Sequence, residues 1–313
     1  MASVLFLDTN HPLMITMLRE KGYEIREEYA ASRDEVMKMI PSFDAIVIRS
    51  RFKIDREFID AGKKLKCIGR VGAGMENIDV AYAEGKGIRC LHAPEGNRDA
   101  VGEHATGMLL ALMNNLLRAD REVRGGKWNR ESNRGYELQG KTVGIIGYGN
   151  MGSAFAQRLR GFGVKILAYD KYKNGFGDAF VNESSLEEIF AEADVVSLHL
   201  PLTEETFHLC DEKFFASFRK PVWFVNTARG KNVKTEALVQ ALENGKVKGA
   251  CLDVLEYESV SFEAIDPKTL PPAFHYLVHS EKVILSPHIA GWTFESHEKL
   301  AKFLAEKMIA VLG

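Results

Sequence analysis

Short apolar runs, each bounded by polar turns, recur along the chain with helical stretches between them. In the first part of the sequence they lie at residues 4–8, 44–50, 65–72 and 87–94. In the second part they lie at residues 141–149, 164–170, 194–200, 222–228, 247–254 and 282–288. Runs that are apolar throughout and alternate with helices are typical of parallel sheets covered on both faces. The pattern predicts an α/β protein with two doubly wound parallel-sheet domains.

The boundary between the two domains is predicted near Asn97, where a helical pattern begins and continues to about Arg118. Residues 121–140 are polar, contain glycine and show no clear period, which indicates an arm or linker. Residues 292–312 form one amphipathic helical pattern. We expect this last helix to pack on the first domain.

Composition narrows the class of protein. The chain has 313 residues with 41 basic and 43 acidic side chains, and no basic stripe that would indicate nucleic-acid or membrane-surface binding. The N-terminus lacks the basic region and cleavage site of an export signal, and residues 105–117 are too short and polar for a membrane span. Four cysteines without CxxC spacing and nine histidines without paired ligand spacing indicate a reduced, cytoplasmic protein with no metal site.

A glycine-rich turn follows the run at 141–149. Gly147, Gly149 and Gly152 have G-x-G-x-x-G spacing, which permits a tight turn, a close approach of the backbone to a pyrophosphate, and close packing of helix on strand. The helix that begins at Asn150 and Met151 then directs free N–H groups at the phosphates. This context indicates dinucleotide binding, although an ordinary turn or a methyltransferase could carry similar glycines.

An acidic residue stands at the end of the next strand. Asp170 lies 23 residues after Gly147, where a carboxylate accepts hydrogen bonds from the ribose hydroxyls of a dinucleotide. The same charge repels a 2′-phosphate and therefore favours NAD over NADP. Lys171 and Lys173 weaken that preference.

Charged and titratable residues follow three further strands. Arg229 comes after 222–228, Asp253 and Glu258 come after 247–252, and His288 ends the last run. Because ligands bind beyond the carboxyl ends of parallel strands, we expect these groups to share one crevice. An arginine suits a substrate carboxylate, and a histidine beside a carboxylate suits proton transfer. Each residue taken singly could equally be structural.

Seven stretches, in this order, resemble the D-isomer-specific 2-hydroxyacid dehydrogenase family. They are "GRVGAGMENIDV", "APEGNRDAVGEHATGMLLAL", "GKTVGIIGYGNMG", "DVVSLHLPLTEET", "NTARG", "GACLDVLEYES" and "SPHIAGWT". The similarity covers nearly the whole chain. It implies an NAD-dependent oxidoreductase that interconverts a small D-2-hydroxy acid and its 2-keto acid.

The resemblance implies roles for particular residues. Arg229 binds the substrate carboxylate and helps to polarise the keto oxygen, while Glu258 supports His288 as the acid/base. Asp253 is implied to hold the nicotinamide carboxamide. The backbone of Ala73 and Gly74 is implied to meet the substrate carboxylate. Further residues are implied to line the cofactor groove, namely Pro201, Thr206 and Ala228.

The resemblance also implies the domain limits. Residues 1–98 and 288–313 form a flavodoxin-like substrate domain, and residues 99–287 form the NAD-binding Rossmann domain. The first helix of the NAD domain and the arm at 120–140 are implied to form a homodimer.

Several features leave the substrate open. Glu76 stands where the family usually has Asp, and residues 259–281, with "PPAFHYL", are longer than in many relatives and could form a flap or a dimer contact. The chain ends at Gly313, so we expect no serine-binding regulatory domain. Candidate substrates are 3-phosphoglycerate, glyoxylate or hydroxypyruvate, and lactate-like acids.

A phosphate on the substrate would need a basic partner, for which Arg49, Arg51 and Arg70 are available by position. The alternative function is a non-catalytic NAD(H)-sensing protein of the same fold. A formate dehydrogenase-like activity is disfavoured because Glu258 stands where such chains have Gln.

Overall fold

The computed structural model describes residues 2–258 and 270–313. The chain divides into two compact units, which we describe separately. Unit 1 contains the chain up to Arg98 together with Trp292–Gly313, and unit 2 contains Asp99–Gly291. The second division falls four residues beyond our predicted limit at residue 287. Residues 288–290 belong to unit 2 because their backbone N–H groups bond to Asp253.

Unit 1 contains five parallel strands in its described residues, in the order β2-β1-β3-β4-β5. The strands are β1 (Ser3–Phe6), β2 (Glu24–Glu27), β3 (Ala45–Ile48), β4 (Cys67–Arg70) and β5 (Arg89–His92). The helices are α1 (Pro12–Glu20), α2 (Arg33–Met39), α3 (Arg56–Ala61), α4 (Val80–Gly85) and α12 (Phe294–Leu312). The strand order is that of a flavodoxin-like sheet, which confirms the predicted architecture.

Alternate side chains of the unit 1 sheet enter two cores. Val4 and Phe6 pack with the C-terminal helix α12, whose Leu304 and Met308 are fully buried. Leu5 and the side chains of the neighbouring strands that point in the same direction pack in a second core on the opposite face. The sheet is therefore covered on both sides, and α12 supplies one of the covers.

Unit 2 contains seven parallel strands among the residues described, in the order β12-β11-β10-β9-β6-β7-β8. The strands are β6 (Thr142–Ile146), β7 (Lys165–Tyr169), β8 (Val181–Glu183), β9 (Val195–Leu198), β10 (Val222–Asn226), β11 (Val247–Leu252) and β12 (Val283–Leu285). The helices are α6 (Leu116–Arg124), α7 (Asn150–Leu159), α8 (Leu186–Glu192), α9 (Glu212–Ser217), α10 (Thr235–Glu243) and α11 (Pro272–His279). Helix α5 (Pro94–Met113) begins before the division at Arg98 and continues into unit 2.

The order of strands in unit 2 reverses between β6 and β9. This is the dinucleotide-binding order, in which the crevice beyond the carboxyl ends of the strands receives the ligand. One face of the sheet packs on α5 and α7 through Leu109 and Phe155, and the other packs on α8 to α10 through Phe214 and Leu238. The predicted Rossmann architecture is confirmed.

Three details differ from the sequence expectations. The edge strands β2 and β8 were not predicted, because both are short and mostly exposed and polar. The helix expected from residue 97 to 118 begins at Pro94 and ends at Met113, and Asn115 turns the chain with φ 54° before α6. The first part of the expected arm is thus helical, up to Arg124. The "PPAFHYL" stretch lies largely in α11, whereas residues 259–269 of the longer segment lie outside the described residues.

All four cysteines are free thiols. Burial raises the pKa of Cys67 to about 12 and that of Cys90 to about 11, so these thiols stay protonated near neutral pH. In the part of the chain that the structure describes, no helix is both long and apolar enough to cross a membrane.

Candidate active site

The glycine-rich loop after β6 is shaped for close backbone approach. Gly147 has φ 94°, and a Cβ there would lie 2.5 Å from the carbonyl oxygen of His199. A Cβ on Gly152 would lie 2.0 Å from the carbonyl oxygen of Gly147. Gly149 begins α7 without a side-chain cap, and its Cβ position meets no atom within 4 Å. The loop therefore offers open space and uncapped helix N–H groups, at Asn150 and beyond, to a pyrophosphate.

Asp170 ties this loop to the end of β7. Its carboxylate accepts hydrogen bonds from the backbone N–H groups of Tyr148, at 2.8 Å, and Tyr172, at 2.9 Å. A carboxylate has about four acceptor positions, so two remain for ribose hydroxyls. The residues of the glycine loop and Asp170 fit an NAD molecule.

The loop after β9 contains the two predicted groove residues Pro201 and Thr206. The Thr206 hydroxyl donates to the Pro201 carbonyl oxygen at 2.7 Å, which closes the turn. The buried Asn232 side chain donates to the carbonyl oxygens of both residues, at 3.3 and 3.1 Å. These hydrogen bonds therefore fix the shape of the loop that follows β9, the strand next to β6.

Arg229 follows β10 in a loop braced by Asn226. The Asn226 side chain accepts from Ala228 N–H at 3.0 Å and donates to the Arg229 carbonyl oxygen at 3.0 Å. The Arg229 Nη1 donates to the Ala228 carbonyl oxygen at 2.7 Å. A Cβ on Gly230 would lie 1.9 Å from the carbonyl oxygen of Leu255, so only glycine lets this loop approach the turn after β11 so closely.

Glu258 and His288 form a pair in unit 2. The His288 Nδ1 lies 2.8 Å from the Glu258 Oε2, and Glu258 also accepts a hydrogen bond from Leu255 N–H. Both side chains are partly buried. Because β10, β11 and β12 are neighbours in the sheet, the loops that carry Arg229, Glu258 and His288 follow three adjacent strands. An arginine can bind an anion, and a histidine paired with a carboxylate can transfer a proton.

Asp253 is almost completely buried, with 1% of its surface exposed. Its Oδ1 accepts from the Ser286 hydroxyl at 2.6 Å and from Ile289 N–H at 2.8 Å, and its Oδ2 accepts from Ala290 N–H at 2.9 Å. The backbone of His288 has φ 56°, and its N–H donates to the Asp253 carbonyl oxygen at 2.8 Å. Asp253 therefore holds the loop that carries His288.

A second histidine–carboxylate pair was missed by the sequence analysis. The His208 Nε2 lies 2.6 Å from the Glu256 Oε1. The Glu256 Oε2 accepts from the backbone N–H and the hydroxyl of Thr235, at 2.9 and 2.7 Å. Glu256 thus joins the loop after β9, the start of α10 and the turn that carries Glu258. No sequence spacing indicates this pairing.

Two further histidines of unit 2, His199 and His104, hydrogen bond to serines. The His199 Nε2 lies 2.9 Å from Ser197 Oγ, and the His104 Nε2 lies 3.0 Å from Ser286 Oγ. Burial lowers the pKa of His199 to about 3, so its ring is neutral near pH 7. Among the described residues, no group of three or more His, Cys, Asp or Glu side chains could hold a metal ion.

The predicted substrate residues of unit 1 lie in the loop after β4. The Ala73 carbonyl oxygen lies 2.6 Å from His92 Nδ1, and Gly72, with φ 143°, precedes it. Gly74 follows in the same loop. This loop is held at Ala73 by a side chain from the end of β5.

The arginines considered for a substrate phosphate are not equivalent. The Arg51 guanidinium donates to the carbonyl oxygens of Leu7, at 3.0 Å, of Glu28, at 2.9 Å, and of Ala31. We had expected from its position that Arg51 would be available for a phosphate, but these bonds use its guanidinium to stabilise the fold of unit 1. The Arg49 guanidinium lies 5.2 Å from the ring centre of Trp292.

A dinucleotide cradle with an arginine and a histidine–carboxylate pair at neighbouring strand ends defines an NAD-dependent oxidoreductase of small acids. Residues 106–290 match the family profile described as "D-isomer specific 2-hydroxyacid dehydrogenase, NAD binding domain". The chain belongs to the D-isomer-specific 2-hydroxyacid dehydrogenase family. It is accordingly an NAD-dependent enzyme of D-2-hydroxy acids.

Individual relatives agree with this membership. A hydroxypyruvate reductase of Thermotoga maritima is 39% identical, over 95% of this chain and 94% of its own length. A D-3-phosphoglycerate dehydrogenase of Archaeoglobus fulgidus is 36% identical over 94% of this chain, which spans only 54% of that relative. The crystal structure of D-lactate dehydrogenase from Aquifex aeolicus, complexed with NAD and lactic acid, has a TM-score of 0.83 and 29% identity, covering 99% of this chain and 95% of that one.

Proposed function

We propose that the protein reduces a small 2-keto acid to its D-2-hydroxy acid, with Arg229, Glu258 and His288 as its catalytic residues. The observation that carries this assignment is the pair formed by His288 Nδ1 and Glu258 Oε2 at 2.8 Å. The pair follows strands β11 and β12, and Arg229 follows the adjacent β10. The arrangement supplies one anion-binding group and one proton donor.

Arg229 binds and orients the substrate in this proposal. Its planar guanidinium matches a carboxylate with two parallel hydrogen bonds, which a lysine cannot provide. A donor directed at the keto oxygen also stabilises the negative charge that develops there during reduction. The brace from Asn226 fixes the loop from which the guanidinium extends.

His288 moves the proton. Since Nδ1 faces Glu258, the proton exchanged with the substrate oxygen is on Nε2. The carboxylate fixes the ring orientation and stabilises the imidazolium that donates to the keto oxygen; the neutral ring accepts the hydroxyl proton in the reverse direction. A nicotinamide cofactor bound in unit 2 would supply the hydride for reduction and take it up in oxidation.

We assign the cofactor to the groove of unit 2. The backbone of Gly147, Gly149 and Gly152 and the first N–H groups of α7, at Asn150 and Met151, would hold the pyrophosphate. The remaining proposed contacts are the ribose at Asp170 and the groove walls at Pro201, Thr206 and Ala228. Because Asp253 is buried and accepts three hydrogen bonds, we assign it primarily the positioning of His288. Its contact with the nicotinamide carboxamide stays a prediction.

We propose hydroxypyruvate or glyoxylate, rather than 3-phosphoglycerate, as the substrate class, and we propose the backbone N–H groups of Ala73 and Gly74 as donors to a substrate carboxylate. Two observations support this choice. Arg51 is engaged by three backbone carbonyls, so one of the arginines expected for a phosphate is used in the fold. The hydroxypyruvate reductase relative also matches over nearly its whole length.

The test is a panel of 2-keto acids assayed by loss of NADH, with 3-phosphohydroxypyruvate beside hydroxypyruvate as the matched pair. We expect a higher kcat/KM for the unphosphorylated acid. A higher value for the phosphorylated acid would overturn the substrate assignment, and turnover of none of the acids would overturn the proposed reaction.

We propose that the protein is a homodimer formed through α6 and the segment that follows it. The large apolar side chains exposed there are Leu116, Leu117, Val123, Trp128 and Tyr136. Several large exposed apolar side chains within one segment of the chain support a protein interface there. Equilibrium sedimentation should give twice the chain mass of 35.0 kDa; a single species at the chain mass would contradict the proposal.

We further propose that the protein functions in the cytoplasm. Four free cysteines support a reducing compartment. Fractionation of cells that express the full protein tests this, with recovery outside the cytoplasmic fraction as the contrary result.

A further inference from the structure

An ion-pair cluster lies beside the ribose-binding residue Asp170. The Lys171 Nζ donates to the Glu205 Oε2 at 2.7 Å, and the Tyr172 hydroxyl donates to the same oxygen at 2.7 Å. The Tyr172 backbone N–H donates to Asp170. Glu205 therefore joins the loop after β9 to the end of β7, where Asp170 stands.

The turn that carries Glu205 has a fixed shape. The hydroxyl of the adjacent residue Thr206 closes the turn by donating to the Pro201 carbonyl oxygen. The side chain of Asn232 donates to the carbonyl oxygens of both Pro201 and Thr206. These hydrogen bonds thus fix the backbone from which the Glu205 side chain extends. Its position near Asp170 is a property of the fold of unit 2.

Both charges of the Lys171–Glu205 pair are present at neutral pH. The hydrogen bond from Lys171 lowers the pKa of Glu205, and the hydrogen bond to Glu205 raises the pKa of Lys171. The second lysine of the segment, Lys173, donates to the Tyr148 carbonyl oxygen at 3.2 Å. The two lysines that follow Asp170 are therefore both engaged by the protein.

We propose that Glu205 is a specificity-determining residue that excludes NADP by occupying Lys171 and the Tyr172 hydroxyl. A 2′-phosphate carries up to two negative charges and requires a cation or hydroxyl donor beside the ribose. To reach Lys171 or the Tyr172 hydroxyl, the 2′-phosphate must displace Glu205 from them. The phosphate must also approach the negatively charged carboxylates of Asp170 and Glu205. The inference rests on the proposed role of Asp170 at the ribose.

Glu205 acts on cofactor choice by holding Lys171 and by repelling a 2′-phosphate, and not by stabilising the fold through the ion pair. Lys171 and Glu205 are about half exposed, with side-chain exposures of 54% and 55%, and exposed pairs of this kind stabilise proteins little. Removing the Glu205 charge should therefore leave the fold intact and release Lys171 for the 2′-phosphate. The preference for NAD is thus divided between two carboxylates on different loops.

The test compares cofactor binding by four variants of the full chain: Glu205→Gln, Lys171→Met, the double variant, and Glu204→Gln. Glu204 is the adjacent carboxylate, so its substitution changes the net charge by the same amount. Dissociation constants for NADPH and NADH are measured by isothermal titration calorimetry without substrate, and kcat/KM for both cofactors is measured with the best keto acid.

Glu205→Gln should shift the NADPH to NADH affinity ratio about tenfold toward NADPH, the effect of removing one nearby charge under partial solvent screening. Lys171→Met alone should not raise the ratio, and in the double variant it should abolish the shift. Glu204→Gln should stay within about twofold of the wild-type ratio. Because the groups are exposed, the Glu205→Gln shift should shrink as sodium chloride is raised.

Three results would overturn the inference. They are an equal shift in Glu204→Gln, a full shift in the double variant, and a Glu205→Gln ratio equal to that of the wild type. If NADH itself failed to bind any variant, the proposed function would fall and the specificity inference with it. NADH binding with an unmoved ratio would refute the role of Glu205 alone.

Discussion

Acidification should destabilise the protein through one buried histidine. His199 directly follows β9, its Nε2 is hydrogen bonded to Ser197 Oγ at 2.9 Å, and its buried Nδ1 has no hydrogen-bond partner among the described residues. Burial lowers the pKa of His199 from 6.5 to about 3. In the unfolded chain the ring returns to its ordinary pKa, so acid protonates the unfolded chain first.

The direction and size of the effect follow from this difference. A group whose pKa is lowered by folding contributes its full stability above its unfolded pKa, here 6.5, and loses it as the pH falls toward about 3. Each pH unit below 6.5 costs about 1.4 kcal/mol, because only the unfolded state binds the proton. At about pH 5 the loss assigned to His199 is therefore about 2 kcal/mol.

Urea unfolding of the wild type and of His199→Gln, at about pH 7.5 and about pH 5, measures this loss. The glutamine keeps an amide for Ser197 and does not titrate, so the wild type should lose about 2 kcal/mol more than the variant between the two pH values. Any pH-independent cost of the substitution cancels in this comparison, as do the other titrating groups. Equal losses in both proteins would refute the assignment of a buried, neutral His199.

Three further predictions address the site. Arg229→Lys should keep NADH affinity but lower kcat/KM about 10²- to 10³-fold, since one positioned donor is lost; activity within twofold of wild type would remove Arg229 from catalysis. Glu258→Gln should keep NADH affinity but lower kcat for keto-acid reduction at least about tenfold, because the ring of His288 loses the carboxylate that orients it for proton transfer; an unchanged kcat would argue against the proposed pair. Gly152→Ala should weaken NADH binding at least about tenfold in calorimetry, because its Cβ would lie 2.0 Å from a carbonyl oxygen of the phosphate loop. Gly161→Ala, where a Cβ meets no atom within 4 Å, is the control, and equal affinities in the two variants would argue against the cradle.

The sheets could be predicted from the sequence because most of their strands are buried on both faces. Strands such as β3 and β10 have every side chain buried, so they appear as unbroken apolar runs. The edge strands β2 and β8 form by backbone pairing on one side only, and their exposed side chains carry no such pattern. The strands that escaped prediction are therefore those that backbone pairing, and not burial, defines.

The candidate site could be predicted in part for a related reason. Residues that directly follow parallel strands lie at one edge of the sheet, so Arg229 and His288 could be placed together once their strands were recognised. The choice between Glu256 and Glu258 as partner of His288 could not be made in this way. The turn after β11 separates them: Glu258 bonds to His288, whereas Glu256 is directed at His208 and Thr235. A backbone turn, which leaves no periodic signal, makes that distinction.

The loop at His288 shows a second property that no residue pattern reveals. A non-glycine residue with φ 56° lies in the left-handed region, which costs about 1 to 2 kcal/mol for an L-amino acid. The cost is offset by hydrogen bonds that hold both sides of the loop, from the Ser286 hydroxyl and from the N–H groups of Ile289 and Ala290 to the Asp253 carboxylate. The histidine therefore depends for its position on a buried carboxylate at the end of the neighbouring strand. Loss of activity on substitution of Asp253 would follow from a displaced His288 even with the cofactor fully bound, so NADH affinity and kcat must be measured separately at this residue.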